Sequence, residues 1–211
     1  MIRLFSYKLT HDTGFAPNPF WGVMTLSTCK PKIRLSKQKG DWIAGFTSQT
    51  LCGDSVGEEK LVYLMEVTDK FSLSDYFNSP IYKKKIPNLN KSQCVYLAGD
   101  NIYRPTDSVT PLFDNFEQLE NPYHGEKHKQ RDLSGKFILA GNRFFYFGSK
   151  AIQIPLDLRP NVPRGQSAHG SLTIDSAVVQ RFIDYIISEY RVGVQAAPHS
   201  WPSGDSSWNM K

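Results

Sequence analysis

The chain has 211 residues, of which 40% are hydrophobic, 21% charged and 13% aromatic, and its formal charge is +5 at pH 7. A polypeptide of that make-up folds around a core, which excludes wholesale disorder, and its length suits one domain rather than two. No stretch approaches the roughly 18 apolar residues of a membrane span, no secretory-signal pattern opens the chain, and Cys29, Cys52 and Cys94 form no C-x-x-C pair, so a disulfide framework and a zinc ribbon are disfavoured and a cytoplasmic setting is expected.

Residues 2–9 (IRLFSYKL) are apolar or aromatic at nearly every second position and predict a buried strand. The next segment, THDTGFAPNPFWG over 10–22, holds two prolines and two glycines that forbid a regular element, and three aromatics that resist exposure, so a structured loop is expected. Val23 to Thr28 suits a short strand or a helical turn, whereas Asp41 to Phe46 and Leu61 to Thr68 read as strands from their branched and aromatic residues. Ser72 followed by Asp75 has the form of a capping box opening a short helix through Phe77.

A strand is expected at CVYLA, residues 94–98, followed by a turn at Gly99-Asp100-Asn101. Residues 105–135 form a polar, weakly periodic insert that predicts a long surface excursion. Phe137 to Ala140 and Arg143 to Phe147 flank Gly141-Asn142, a hairpin signal. One helix begins after Thr173 as N-cap and carries Ile174, Val178, Phe182, Tyr185, Ile186 and Tyr190 on one stripe. These elements predict an α+β fold: a single domain over 1–192 built as a small bent β-barrel of about six strands with peripheral helices and a C-terminal helix, then a flexible tail over 193–211.

The loop from His11 to Trp21 sets His11, Asp12 and Asn18 beside Phe20 and Trp21 on a segment stiffened by Pro17 and Pro19. Flat rings bind flat ligands, and a fixed amide or carboxylate then reads the edge of a base, so the pattern points to a nucleobase. The competing reading is that the rings plug the end of the fold while Asp12 and Asn18 cap the loop's own backbone. Asp100 and Asn101 offer a carboxylate and an amide beside Tyr103, although Gly-Asp-Asn is equally turn chemistry. Cys29 next to Lys30 is a nucleophile candidate if the ammonium lowers the thiol pKa, with an inert buried cysteine as the alternative. Lys30, Lys32, Arg34, Lys37 and Lys39 form a basic cluster that suits phosphates or simply a solvated face; Lys83 to Lys85 and Lys127, Lys129 and Arg131 are two more. His124, His128 and Asp132 would align as metal ligands on a helix, but Gly125 and the dense charge oppose one, and no metal is expected. No P-loop, G-x-G-x-x-G or G-x-S-x-G is present and no cofactor is called for.

Taken in order, Thr10 to Phe20, Thr25-Leu26-x-Thr28-Cys29-Lys30-Pro31-x-Ile33-Arg34, Gly40-Asp41-Trp42-Ile43, Gly99-Asp100-Asn101-Ile102-Tyr103 and Phe144-x-Tyr146-Phe147-Gly148 resemble the second family of nucleotide modification associated domains. That resemblance implies a setting among enzymes that modify DNA bases in phages and bacteria, with such enzymes as partners, and no particular reaction. A looser similarity, Gly-Asp-Trp followed by the Val62 to Val67 strand, is to PUA-like barrels, including the YTH and EVE readers of modified bases. It implies an aromatic cage, here walled by Phe20, Trp21, Trp42 and Tyr103, around a flipped or modified base. The expectation is therefore a base-recognition domain for DNA or a nucleotide, with Asn18, Phe20, Trp21, Trp42, Asn101 and Tyr103 at the base and Lys30, Lys32 and Arg34 at the phosphates. The alternative is an enzyme acting on a nucleotide or modified base, hydrolase, amidohydrolase or transferase, through His11, Asp12, Cys29, Lys30 and Asp100.

Overall fold

The structure, a computed structural model, describes residues 2–106 and 115–210. Its centre is a mixed six-stranded sheet. Strands β1 (Leu4–Lys8) and β3 (Trp42–Phe46) pair in parallel, β3 pairs antiparallel with β4 (Leu61–Glu66), and β4 pairs antiparallel with β9 (Phe144–Tyr146). Two-residue strands close the edges, β10 (Ser171–Leu172) on β1 and β11 (Gly193–Val194) on β9. Short edges of this kind leave few open backbone groups to pair with another chain.

The sheet is buried on both faces. On one face Leu4, Trp42, Ala44, Leu64 and Phe145 meet Val179, Phe182, Ile183 and Ile186 of a helix, Ser176–Glu189. Burial of Phe182 alone contributes roughly 1.5–3 kcal/mol. On the other face Tyr7, Ile43, Val62, Tyr63 and Met65 meet Met24, Leu26 and Leu139 of a second sheet, in which β2 (Met24–Leu26) and β5 (Asp69–Ser72) flank β8 (Phe137–Gly141). A third core gathers Phe15, Tyr76, Ile102, Tyr103, Phe116, Leu133 and Ile138 beneath a two-stranded ribbon, β6 (Tyr103–Pro105) with β7 (Phe116–Gln118).

The fold is mixed α+β, and among the described residues no strand set closes into a barrel: the large sheet stays open, ordered β10-β1-β3-β4-β9-β11. The hairpin expected at Gly141-Asn142 is a crossing between sheets instead. β8 pairs with β2 and β5, whereas β9 pairs with β4 and β11, because each of these apolar strands is buried on both faces and finds a different partner. The CVYLA strand is a helical turn, Cys94–Leu97, whose buried Cys94 and Val95 share one side. The long helix starts two residues later than expected: Asp175 is its cap, accepting from the backbone N–H groups of Ala177 (2.8 Å) and Val178 (3.1 Å), which rotates the apolar stripe to Val179-Phe182-Ile183-Ile186 and leaves Ile174 exposed. Ser72 caps its helix as read, accepting from Asp75 N–H (3.0 Å), while its hydroxyl donates to the Asp75 carboxylate (2.6 Å). The 105–135 insert, of which 107–114 lie outside the described residues, sends Phe116 and Leu133 into the third core rather than across the surface.

The C-terminal segment, expected as a flexible tail, is packed. Gln195 N–H donates to the Tyr146 carbonyl (2.8 Å), Ser149 N–H to the Ala197 carbonyl (2.8 Å), and Trp201 stacks on Phe20 with ring centroids 5.1 Å apart. Its aromatic and backbone groups find partners in the His11 to Trp21 loop, a pairing too distant in sequence to read from composition.

Candidate functional site

The loop from His11 to Trp21 is held from inside. Asp12, nearly inaccessible, accepts from the Tyr146 hydroxyl and from the His199 backbone N–H (3.1 Å), and its Oδ2 lies 2.7 Å from His199 Nδ1. Burial and the Asp12 charge together push the Tyr146 hydroxyl well above the usual phenol range. His11 is exposed and stands apart from this group. Asn18 is fully buried: its Nδ2 donates to the Ala98 carbonyl (2.8 Å) and its Oδ1 accepts from Phe20 N–H (3.2 Å), while its backbone pairs both ways with Thr25. That pairing closes a hairpin whose tip is Trp21 (φ 63°) and Gly22 (φ 77°). Left-handed backbone comes freely to glycine but costs a bulky residue about 1–3 kcal/mol, and such strain concentrates where a side chain is held for a purpose.

Behind the hairpin lies a sealed polar network. Lys85, 1% exposed, donates from Nζ to Asn18 Oδ1 (2.7 Å), the Asn18 carbonyl (3.1 Å) and Thr25 Oγ1 (2.9 Å), which uses all three ammonium protons. Thr25 passes its own proton to Asp100 Oδ2 (2.7 Å), and the Tyr76 hydroxyl donates to Asp100 Oδ1 (2.8 Å). Burial pulls the Lys85 ammonium down to about 8, against the pull of Asp100, and burial likewise raises the Asp100 carboxyl. Asn101 is also consumed internally, donating from its side chain to the Tyr76 (3.2 Å) and Tyr82 (3.4 Å) carbonyls.

A second buried group surrounds Asp132. Its carboxylate accepts from Cys29 N–H (2.9 Å) and the Tyr103 hydroxyl (3.1 Å) and pairs with His124 Nε2. Burial alone would raise Asp132, but the His124 hydrogen bond and the nearby charges of His124 and Arg34 hold it below the usual carboxylate range. Arg34 is completely enclosed, donating to the carbonyls of Cys29 (3.0 Å), Phe137 (2.8 Å) and Asp132. It braces the backbone and is closed to a phosphate. Cys29 has φ 54° and a thiol that burial, with Asp132, pushes up, so Lys30 does not turn it into a thiolate. Lys30 donates instead to Gln166 Oε1 (2.9 Å), and Lys32 is exposed. His124 stacks on Phe15 at 5.0 Å and His128 tilts against it at 5.0 Å. Among the described residues no group of three or more histidine, cysteine or acidic side chains is arranged to hold a metal.

The four rings expected to wall one cage are divided among three packing clusters. Trp42 (3% exposed) lies against the long helix, Tyr103 in the third core, and Phe20 (1% exposed) beneath Trp201. Trp21 lines a cleft. That cleft, of about 440 Å³, is lined by Trp21, Lys83, Lys84, Ile86, Asn88, Tyr96 and Met210. The Trp21 and Tyr96 rings sit 5.5 Å apart and tilted by 43°, Lys84 Nζ lies 5.2 Å from the Trp21 ring centroid, and Lys91 Nζ 6.0 Å from that of Tyr96. Trp21 Nε1 is buried without a hydrogen-bond partner. Neither Lys83 nor Lys84 is ion-paired to a carboxylate among the described residues, and no acidic side chain lines the cleft.

Sequence reasoning missed Tyr96, Asn88 and His199. Tyr96 was hidden inside the CVYLA segment read as a strand, and the helical turn there is what aims it at Trp21. The Lys83 to Lys85 triplet was visible, but not that its third member turns inward while the first two face the cleft.

Among the described residues no helix is long and apolar enough to cross a membrane. No curated protein and no solved structure matches the chain. The family model for nucleotide modification associated domain 2 matches residues 1–205, from the first strand through the Asp12 loop, the buried lysine network and the cleft to the packed C-terminal segment. The chain belongs to the nucleotide modification associated domain 2 family.

Proposed function

We propose that the chain is a base-recognition module in nucleotide modification, and that the cleft beside Trp21 is where the base is held. The observation that carries this reading is the pairing of two aromatic rings with two lysines that have no carboxylate partner among the described residues, Lys84 over the Trp21 ring and Lys83 donating to the Phe77 carbonyl (3.3 Å), in one cleft. Stacking on an aromatic side chain contributes about 1–3 kcal/mol per base. A base laid on the Trp21 ring takes the place of the Lys84 ammonium, which then turns to the phosphate. Asn88 supplies an amide that donates to or accepts from the base edge. The strained tip sets Trp21 at the edge of the cluster around Phe20, packed against it and lining the cleft, which supports the same reading. The test is fluorescence titration with nucleotides, DNA and RNA carrying modified and unmodified bases at about 50 mM salt, where phosphate contacts count most. Trp21→Ala weakens binding by about 5- to 150-fold, the range that a single stacking contact spans. No affinity for any of these ligands would end the proposal.

A second reading, catalysis on the same class of ligand, is favoured by the Asp12–His199 pair. Asp12 holds ring Nδ1 and leaves Nε2 without a partner among the described residues, the arrangement by which a carboxylate orients a general base. If His199→Ala abolishes a turnover that the wild-type protein catalyses on a nucleotide panel, while leaving binding intact, this reading displaces the first.

A further inference from the structure

We infer that the occupant of the Trp21 cleft is a single free nucleotide with a terminal phosphate, not a stretch of polynucleotide; the inference rests on the nucleotide-binding reading above. A protein that follows a strand needs a row of free cations along the phosphates. The most basic run of this chain, Lys30 to Lys39, is spent on the protein itself. Arg34 is enclosed by three backbone carbonyls, Lys37 is buried with its ammonium 3.5 Å from the Phe5 ring centroid, Lys30 is held by Gln166, and Lys39 pairs with Asp69 at 2.7 Å. Of that run only Lys32 stays exposed without a side-chain partner among the described residues. The triplet at 83–85 is likewise reduced to two, because Lys85 points into the sealed network.

The third basic group, Lys127, Lys129 and Arg131, takes no part in lining the cleft of about 440 Å³, and Arg131 lies 3.5 Å from Asp132; at the cleft itself stand two adjacent lysines without a carboxylate partner among the described residues, Lys84 and Lys83, whose ammonium donates only to the Phe77 carbonyl (3.3 Å). That volume lies at the small end of the roughly 300–1,000 Å³ of small-molecule sites, room for one nucleotide. Two ammonium groups match a terminal phosphate, which carries about −1.5 to −2 at neutral pH, better than the single charge of an internal phosphodiester. The ring pair is also closed on itself: at 5.5 Å between centroids the Trp21 and Tyr96 rings cannot admit a base between them, so the cleft offers one stacking platform and no ladder of rings for successive bases.

The experiment is calorimetric titration of the full chain with four sets of probes: the deoxynucleosides, their 5′-monophosphates, 5-methyl- and 5-hydroxymethyl-dCMP, and unphosphorylated single-stranded homodecamers, each at about 50 and 200 mM salt. The expected result is that at least one monophosphate binds ten-fold or more tightly than its nucleoside, that the decamer of the same base binds no more tightly than that monophosphate, and that Lys83→Gln/Lys84→Gln lowers monophosphate affinity to the nucleoside level with an unchanged melting temperature. Decamers that bind more tightly than every monophosphate, with an affinity that collapses between the two salt concentrations, would overturn the inference and leave base recognition standing. Nucleosides that bind as tightly as monophosphates overturn the role of the terminal phosphate alone. No binding by any probe removes this inference together with the reading on which it rests.

Discussion

Lys85 concentrates the electrostatic stakes of this protein in one side chain. Three acceptors surround its ammonium, and Asp100 is reached through Thr25, so the network is satisfied only while every member is present. Lys85→Met removes the cation that offsets the buried Asp100 charge and one donor from each of Asn18 Oδ1, the Asn18 carbonyl and Thr25 Oγ1; urea denaturation at pH 7 is expected to show a loss of about 3–5 kcal/mol. The titration has a definite sign. The folded value of about 8 lies below the ordinary lysine value near ~10.4. Below pH 8 both states are protonated; above it the native state has released a proton that the unfolded chain still holds, so the stability due to this group rises with pH through that window. The gap between wild type and Lys85→Met therefore widens from pH 7.5 to 10, and a constant gap would show that another group titrates. Cys29 allows a simpler check. Burial raises both Cys29, with Asp132, and Cys52, with Asp54, so access separates them: the half-buried Cys29 is expected to alkylate more slowly at pH 7.5 than the exposed Cys52, as read by mass spectrometry of the labelled peptides.

The turns position the cleft as much as the strands do. Gly99 lies where two segments of backbone nearly touch: a methyl group there would stand 2.5 Å from the Lys85 carbonyl oxygen and 2.5 Å from the Pro87 nitrogen. Neither atom belongs to a side chain that can swing away, so Gly99→Ala must move the 85–87 strip, which carries the cleft residue Ile86 and directly follows Lys84. The expected cost is about 1–3 kcal/mol, as for other overpacked sites, with a parallel loss of cleft binding in the titration described above. The helical turn Cys94–Leu97 is fixed from the other end of the chain. Cys94 N–H donates to Asp205 (2.9 Å) and Val95 N–H to Ser207 (3.3 Å), and although burial works against it, the Ser207 and Cys94 hydrogen bonds hold the Asp205 carboxyl down to about 2. Tyr96 thus takes its place at the cleft because distant residues cap the turn on which it sits.

Three packed layers, helix on sheet on sheet, make the body of the molecule, and the C-terminal segment is sewn back across it. Trp201 is 8% exposed, stacks on Phe20 and donates from Nε1 to the Thr13 carbonyl (2.8 Å). Truncation of a buried tryptophan costs about 3–5 kcal/mol, and here it also frees the loop that carries Asp12 and Trp21. Trp201→Ala is expected to lose about that much in urea denaturation and to open the 195–205 segment to proteinase K, whose broad specificity does not depend on the ring removed. Unchanged stability would mean that the segment contributes nothing to the fold.

Strand periodicity marked β1, β3 and β4, the Ser72 capping box marked its helix, and the apolar stripe after residue 173 marked the long helix, because those signals depend on neighbours a few residues apart. The residues 11–21 were also legible as a stiff, ring-bearing loop, and one of their rings lines the cleft. Composition could not say which polar groups of the loop turn inward. Asn18, Asp12 and Arg34 have the chemistry of binding residues, and their burial depends on Ala98, His199 and Phe137, each about 80 or more positions away. The same holds for the sheet switch at Gly141-Asn142, for Tyr96 and for the packed C-terminal segment. Local order follows from the backbone and side-chain preferences of adjacent residues, whereas the choice between a solvated ligand group and a satisfied buried one belongs to contacts that exist only once the chain has closed on itself.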